Sequence, residues 1–282
     1  MGDIKDSSPL VSVIVRTCGR PDILKNALNS INDQNYSNIE VVLVEDGENI
    51  SEGFARSNFP QLTINYYCSH EKVGRCVIGN IGMKMAQGKY INFLDDDDLL
   101  LEHHISTLVE ALKRNSKKVA YAIAEEHQIK IDHNGKPHVK RKLVRFKQPF
   151  SRLLLCYKNY LPIQSVMFEK ELFETEGGFE EDSEILEDWD LWLRYSLKCD
   201  FQYVPEITSV YFTPYRGRKK TQRDKELKES REFFENKHNS YMVNMSAEQI
   251  KEEMDYIINI YCKKRVFYYA QKIRDFIIYR DI

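Results

Sequence analysis

The 282-residue chain has no apolar run of membrane-spanning length, and its first residues, Met1 to Pro9, are polar and acidic. Those absences argue against a spanning helix and a secretory leader, and point to a cytoplasmic protein. Cysteine is sparse and scattered: Cys18, Cys68, Cys76, Cys156, Cys199 and Cys262 form no C-x-x-C pair. This speaks for reduced thiols and against a zinc ribbon or a disulfide framework. There is no internal repeat and no low-complexity segment. No G-x-G-x-x-G follows the first apolar run and no G-x-x-x-x-G-K-[ST] occurs, so the dinucleotide fingerprint and the phosphate loop are both missing. Net charge is only -2, which gives no reason to expect nucleic acid.

What is present is an acidic run, Asp95-Asp96-Asp97-Asp98, directly after the apolar Tyr90-Ile91-Asn92-Phe93-Leu94. Adjacent carboxylates repel one another, so their place at a strand end calls for a reason. Carboxylates at the C-terminal end of a strand in an α/β sheet lie where such sheets bind ligands, and hard divalent cations take carboxylate oxygens. A calcium EF-hand does not fit. Counted from Asp95, its sixth and twelfth positions are Leu100 and Ser106, where Gly and Glu are required. His103 and His104 point to different faces of a helix and are read as surface residues.

The apolar periodicity predicts strands over Leu10–Arg16, Ile39–Val44, Leu62–Tyr67 and Tyr90–Leu94. Helices are predicted after Pro21, over Arg75–Ala86 with Gly88 as C-cap, and over Leu99–Leu112 with Asp98 as N-cap. This β-α alternation implies a parallel sheet with helices on both faces. Further on, strands are expected over Val119–Ile131, Ser165–Phe168 and Phe201–Phe212, and helices over Phe150–Tyr157 and Glu187–Leu197. From Thr221 the chain reads as helical to its end.

Four segments then carry a resemblance: VSVIVRTCGRPDILKNALNSI (Val11 to Ile31), IEVVLVEDGEN (Ile39 to Asn49), GRCVIGNIGMKMAQGKYINFLDDDD (Gly74 to Asp98) and GGFEEDSEILEDWDLWLRY (Gly177 to Tyr195). In order and spacing they resemble a family 2 glycosyltransferase of the GT-A fold. The resemblance implies an α/β, Rossmann-like, mostly parallel sheet flanked by helices, with a C-terminal helical extension. The implied division is a GT-A domain over 1–215 and an extension over 216–282. Within the domain, 1–98 would be the nucleotide-binding half and 99–215 the acceptor-binding half.

The implied activity is inverting transfer of a sugar, most simply from a UDP-sugar, to a hydroxyl of a glycan or lipid-linked glycan in polysaccharide or glycoconjugate biosynthesis. Asp188 would be the general base, with Glu187 and Trp189 at the acceptor. Thr17, Arg20, Asp46, Arg75, Asn80, Asp95 and Asp96 would bind the nucleotide-sugar, and Asp97 would ligate Mn2+ or Mg2+. By side-chain chemistry, Asp96 is divided between solvent and a supporting position, and Asp98 reads as a cap. Trp192 reads as core, and Asp190 as the helical partner of Arg194.

Elementary chemistry agrees with these roles. A departing diphosphate gathers negative charge that a divalent cation neutralises, and a weakly nucleophilic hydroxyl needs a base. Four positions depart from the family pattern. Arg16 stands where proline is usual, Cys18-Gly19 replaces Tyr-Asn, and Glu45 replaces a second Asp beside Asp46. The stretch Val210 to Arg216 also lacks the late His, leaving Arg216 or Arg218 as substitutes for its charge. The basic, aromatic C-terminal stretch is either a solvated helix surface or a peripheral membrane contact. Two other functions fit an α/β layout: a nucleotidyltransferase and a non-catalytic sugar-nucleotide or glycan-binding module.

Overall fold

The computed structural model describes residues 8–181, 185–238 and 241–259. In chain order the elements are β1 (Val11–Thr17), α1 (Pro21–Asn32), β2 (Ile39–Glu45), α2 (Ser51–Asn58), β3 (Ile64–Cys68), α3 (Arg75–Met85) and β4 (Tyr90–Asp95). There follow β5 (Leu99–Leu100), α4 (His104–Lys113), β6 (Val119–Ile131), β7 (Pro137–Val144), α5 (Arg152–Tyr157), β8 (Val166–Glu169) and α6 (Lys170–Glu176). The last are α7 (Glu187–Ser196), β9 (Phe201–Pro214) and α8 (Arg218–His238).

Among the described residues these strands form one nine-stranded sheet in the order β3-β2-β1-β4-β8-β6-β9-β5, with β7 hairpinned onto the far end of β6. The pairs β1·β2, β1·β4, β2·β3 and β6·β9 are parallel, while β8 runs antiparallel between β4 and β6. A parallel sheet covered on both faces should read as continuous apolar runs, and β1 and β2 do. Successive side chains alternate between faces. Ile14, Val42, Val44 and Phe93 therefore enter one core with Trp192 of α7, and Val13, Val15, Val41 and Leu43 enter another with Leu24 and Leu28 of α1.

Several local expectations are corrected. No helix begins at Leu99. Leu99 and Leu100 pair with Val210 and Ser209 of β9, and the Leu101 N–H donates to Thr208 O at 2.8 Å. The strand edge captures these residues, so α4 starts only at His104 and Asp98 does not cap it. Asp98 instead accepts from the Phe212 N–H at 3.3 Å. His104 is fully buried, not on the surface, with Nδ1 2.8 Å from Thr208 Oγ1, and burial pushes its pKa down to about 3. The C-cap of α3 is Ala86, not Gly88. Gly88 serves close approach instead: a Cβ there would lie 2.7 Å from Leu10 O and from Ser12 N. The short helix α2 and the strand β7 had no counterpart in the periodicity.

The C-terminal part is helical but not continuous. Residues 241–246 are not helical, and a new helix occupies 247–259. It opens with a capping box: Ser246 Oγ accepts from the Gln249 N–H, and Gln249 Oε1 from the Ser246 N–H. Phe234, Tyr241 and Ile257 pack on the same core as Trp189 and Trp192, and Glu253 accepts from Ser151 Oγ at 2.7 Å and the Leu153 N–H at 2.8 Å. Phe234, Tyr241, Glu253 and Ile257 thus hold the described C-terminal segments against the core and α5. The predicted helix beyond 259, with Lys263, Lys264 and Arg265, lies outside the described residues.

Candidate active site

Because β1, β2 and β4 are parallel, their C-terminal ends share one edge of the sheet. Arg16 pairs with Asp95 and Thr17 with Glu45. Backbone bonds carry the alignment past the strands: Asp96 N–H to Arg16 O at 3.1 Å, and Asp46 N–H to Thr17 O at 2.8 Å. The loop after β1 is thereby placed between the two acidic segments, in the crevice where open α/β sheets hold ligands.

The four aspartates have different partners. Asp95 takes a bidentate pair from Arg16, Nε to Oδ1 at 2.7 Å and Nη2 to Oδ2 at 3.0 Å. Burial acts to raise its pKa, but the charge and hydrogen bonds of Arg16 prevail and hold it below the usual carboxylate range. Asp96 is buried and accepts from Thr17 Oγ1 at 2.7 Å, from Arg20 Nε at 3.1 Å and from Arg20 Nη2. Thr17 and Arg20 thus both bond Asp96, while the Arg20 side chain stays 41% exposed. Burial, with the charges of Asp97 and Asp95, pushes the Asp98 pKa well up. Asp97 is the outward member, its side chain 54% exposed, and it faces Arg20 Nη1 at 4.0 Å.

Among the described residues no group of three or more His, Cys, Asp or Glu converges to cage a metal. A hard cation held by one or two carboxylates and completed by substrate phosphates needs no such cage. The outward carboxylate of Asp97 suits that mode.

On the second segment Asp46 Oδ1 accepts from the Val73 N–H at 2.8 Å and the Gly74 N–H at 3.3 Å, which orients its carboxylate across the crevice. Glu45 is buried and organises the loop that follows. It accepts from the Gly19, Ile50 and Ser51 N–H groups, from Ser51 Oγ and from the Tyr66 hydroxyl. The Asn80 amide is used in a reciprocal pair with the Phe179 backbone, donating to O at 2.9 Å and accepting from N–H at 2.7 Å. Asn80 therefore staples the segment that leads to α7.

Three acids, Glu187, Asp188 and Asp190, open α7. Leu186, its N-cap, sits in the left-handed region at φ +68°, a conformation that non-glycine residues hold only when their surroundings enforce it. Two tryptophan hydrogen bonds anchor the helix behind it: Trp189 Nε1 to Leu155 O at 2.6 Å and Trp192 Nε1 to Leu161 O at 3.0 Å. Trp189 is also stacked under Phe234 of α8, ring centroids 3.7 Å apart. It is a buried residue of the core.

Glu187 accepts from Arg16 Nη1 at 3.1 Å and lies 3.7 Å from Arg75 Nη1. Arg75 is thus turned toward an acid of α7 and is otherwise more than half exposed. Asp190 is buried and paired with Arg194 at 2.9 Å, and His238 of α8 reaches it at 2.6 Å. Among the described residues no cation bonds Asp188 in this way. Its Oδ2 accepts from Asn159 Nδ2 at 3.0 Å and its Oδ1 from the Trp189 N–H at 2.8 Å. Burial, reinforced by the Glu187 charge, pushes its pKa up to about 7.

Two residues of this site escaped the sequence reading. Asn159 lies in an irregular segment and gave no signal. Arg16 gave one: a charged residue inside an otherwise buried strand must have partners, because an unpaired buried charge is costly.

The family model for glycosyl transferase family 2 matches residues 12–174, more than half of the chain. The chain belongs to glycosyl transferase family 2. Among named relatives, this family 2 enzyme is 27% identical over 197 residues to WcaA of Escherichia coli (strain K12), named for colanic acid biosynthesis, covering 67% of this chain and 66% of WcaA. It is 25% identical over 202 residues to the uncharacterized glycosyltransferase YwdF of Bacillus subtilis (strain 168), covering 71% and 73%.

Two solved structures give the fold. Residues 1–349 of Staphylococcus aureus TarS, in complex with UDP-GlcNAc, align with a TM-score of 0.60 at 17% identity, covering 75% of this chain and 60% of that one. The mannosyltransferase PcManGT of Pyrobaculum calidifontis, in complex with GDP-Man and Mn2+, aligns at 0.53 and 18% identity, covering 75% and 59%. The glycosyltransferase thus has the GT-A-type mixed α/β architecture that its sequence led one to expect, and it spans about three-fifths of each of those chains.

Proposed function

We propose that this glycosyltransferase inverts the anomeric centre as it moves a sugar from a UDP-sugar to a hydroxyl of a glycan or lipid-linked glycan, in the assembly of a surface polysaccharide or glycoconjugate. One observation carries the reading. Arg16 bonds both Asp95 and Glu187, so the strand end that carries Asp97 is tied to the helix start that carries Asp188. The nucleotide-sugars bound to TarS and PcManGT support a nucleotide-sugar donor, and the colanic acid name of WcaA supports a polysaccharide setting.

In this reading Asp46 accepts the base N–H of uracil, and Asp95, held by Arg16, faces the ribose. Asp97 would hold Mn2+ or Mg2+, which when bound supplies Lewis-acid neutralisation of the leaving diphosphate. Arg20, 41% exposed, stands beside Asp97 to meet the phosphates. Asp188 takes the proton of the acceptor hydroxyl as its oxygen attacks the anomeric carbon. The diphosphate leaves from the opposite face, and a single displacement inverts the configuration. A carboxylate with a pKa near neutrality is matched to that task.

No helix among the described residues is long and apolar enough to cross a membrane. For a lipid-linked acceptor, the basic and aromatic C-terminal stretch would supply peripheral attachment to the membrane face.

UDP release from a panel of UDP-sugars, with and without Mn2+, tests the donor. Asp188→Asn tests the mechanism: UDP binding should persist and transfer should be lost. Full transfer by that variant would overturn the assignment.

A further inference from the structure

Arg16 is the least expected residue of the site. Its side chain is 6% exposed, in the one strand where every other residue from Val11 to Val15 is apolar or a small serine. The guanidinium packs against two rings, with Cζ 5.6 Å from the centroids of both Phe93 and Phe179. Those rings contact each other, centroids 5.1 Å apart, and help to bury it. Three of its nitrogens are directed: Nε and Nη2 at Asp95, Nη1 at Glu187. A planar fork between two carboxylates holds their separation in a way that a flexible ammonium does not.

The two carboxylates belong to different parts of the machinery. Asp95 ends β4 and begins the run that contains Asp97. Glu187 opens α7 and is the neighbour of Asp188 in sequence. We propose that Arg16 is a positioning residue that ties the donor side to the acceptor side. It fixes the separation of Asp97 from Asp188 and shields Asp188 from the charge of Glu187. This rests on the assignment of Asp188 as the base and adds a residue that touches neither substrate.

The groups that face Asp188 are few enough to state. Glu187 is on its own helix, Asn159 on the segment after α5, and Arg16 on β1; Arg75 of α3 acts through Glu187. The Glu187 charge favours the protonated form of Asp188, whereas Arg16 favours the carboxylate. Among the described residues, removing Arg16 leaves Glu187 with the exposed Arg75, at 3.7 Å, as its cation. The Asp188 titration should then move to higher pH. Removing the Glu187 charge should move it to lower pH, with Arg16 still on Asp95. A residue that only filled space would move it in neither direction.

The experiment needs no known acceptor. The Asp188 carboxyl is titrated by 13C NMR in aspartate-labelled protein, with Asp188→Asn assigning its resonance. Relative to the unmodified protein, the midpoint should rise by about one pH unit in Arg16→Gln and fall by about one unit in Glu187→Gln. In the double variant Arg16→Gln/Glu187→Gln it should return close to its starting value. Arg16→Lys, which keeps the charge but not the fork, should restore the titration. It should nevertheless leave UDP·Mn2+ affinity, read by calorimetry, weakened about tenfold through Asp95.

An unchanged midpoint in both single variants overturns the proposal, as does full UDP·Mn2+ affinity in Arg16→Lys. If Arg16→Gln does not fold, Glu187→Gln still decides, because a midpoint that fails to fall refutes the charge coupling. These readouts involve no turnover. Failure of the base assignment would show separately, as transfer by Asp188→Asn.

Discussion

The acids that follow β4 and the acids that open α7 are built alike but left in different states. In each group all but one carboxylate is taken up by the protein. Arg16 takes Asp95, Thr17 and Arg20 take Asp96, and the Phe212 N–H takes Asp98. On α7, Arg16 and Arg75 take Glu187, while Arg194 and His238 take Asp190. Asp97 is left outward and more than half exposed, and Asp188 is left partly buried with only amide donors. A group that shares a cation with a substrate's phosphates must be reachable. One that takes a proton must be poised between its two forms, which burial and a like charge accomplish. The neighbours thus assign the chemistry, since the side-chain type is the same.

The largest effect expected from breaking this contrast is at Asp188. Asp188→Asn keeps the shape and removes the base, and should lower transfer by about 10³-fold with UDP affinity unchanged, read by coupled UDP release and calorimetry. Asp97→Asn should behave oppositely. It should abolish the dependence of UDP affinity on Mn2+ and cost transfer about 10²-fold, while leaving the Asp188 titration in place.

Gly178→Ala tests the staple between the sides, because a Cβ there would lie 2.2 Å from Asn80 Oδ1. Denaturant melts should show a loss of about 2 kcal/mol, accompanied by slower transfer. The smallest effect is that of pH. With the Asp188 pKa raised to about 7, transfer should rise about tenfold per unit as pH climbs toward 7 and then level off. Stability should respond with the opposite sign. The folded state binds this proton more tightly than the unfolded chain does, so the Asp188 contribution falls between the unfolded carboxylate pKa and about pH 7. Thermal melts of the protein against Asp188→Asn isolate that contribution.

Legibility of the fold tracked how local its cause was. The strands Val119–Ile131 and Phe201–Pro214 and the helix from Glu187 were readable because a buried period or an acidic helix start is written in adjacent residues. Leu99 to Lys113 was not, because its first two residues are claimed by β9, about a hundred positions later. Asp98 follows the same logic, since its partner is an N–H on that strand. The packing contacts of Trp189 and Asn80 were not legible for a related reason. Indole and amide groups serve a pocket or a packing contact equally well, and only Phe234 and Phe179 decide which.

The amino-acid sequence by itself determined the family, the parallel β-α order and the strand-end position of the acidic run, because these depend on periodicity and on motif order along the chain. The tertiary structure decided which acid is outward, which is poised and which is merely held. Those distinctions are set by charges that approach from other strands and helices. Arg16 is the clearest instance: an oddity within its own strand, it gains its meaning only from Asp95 and Glu187.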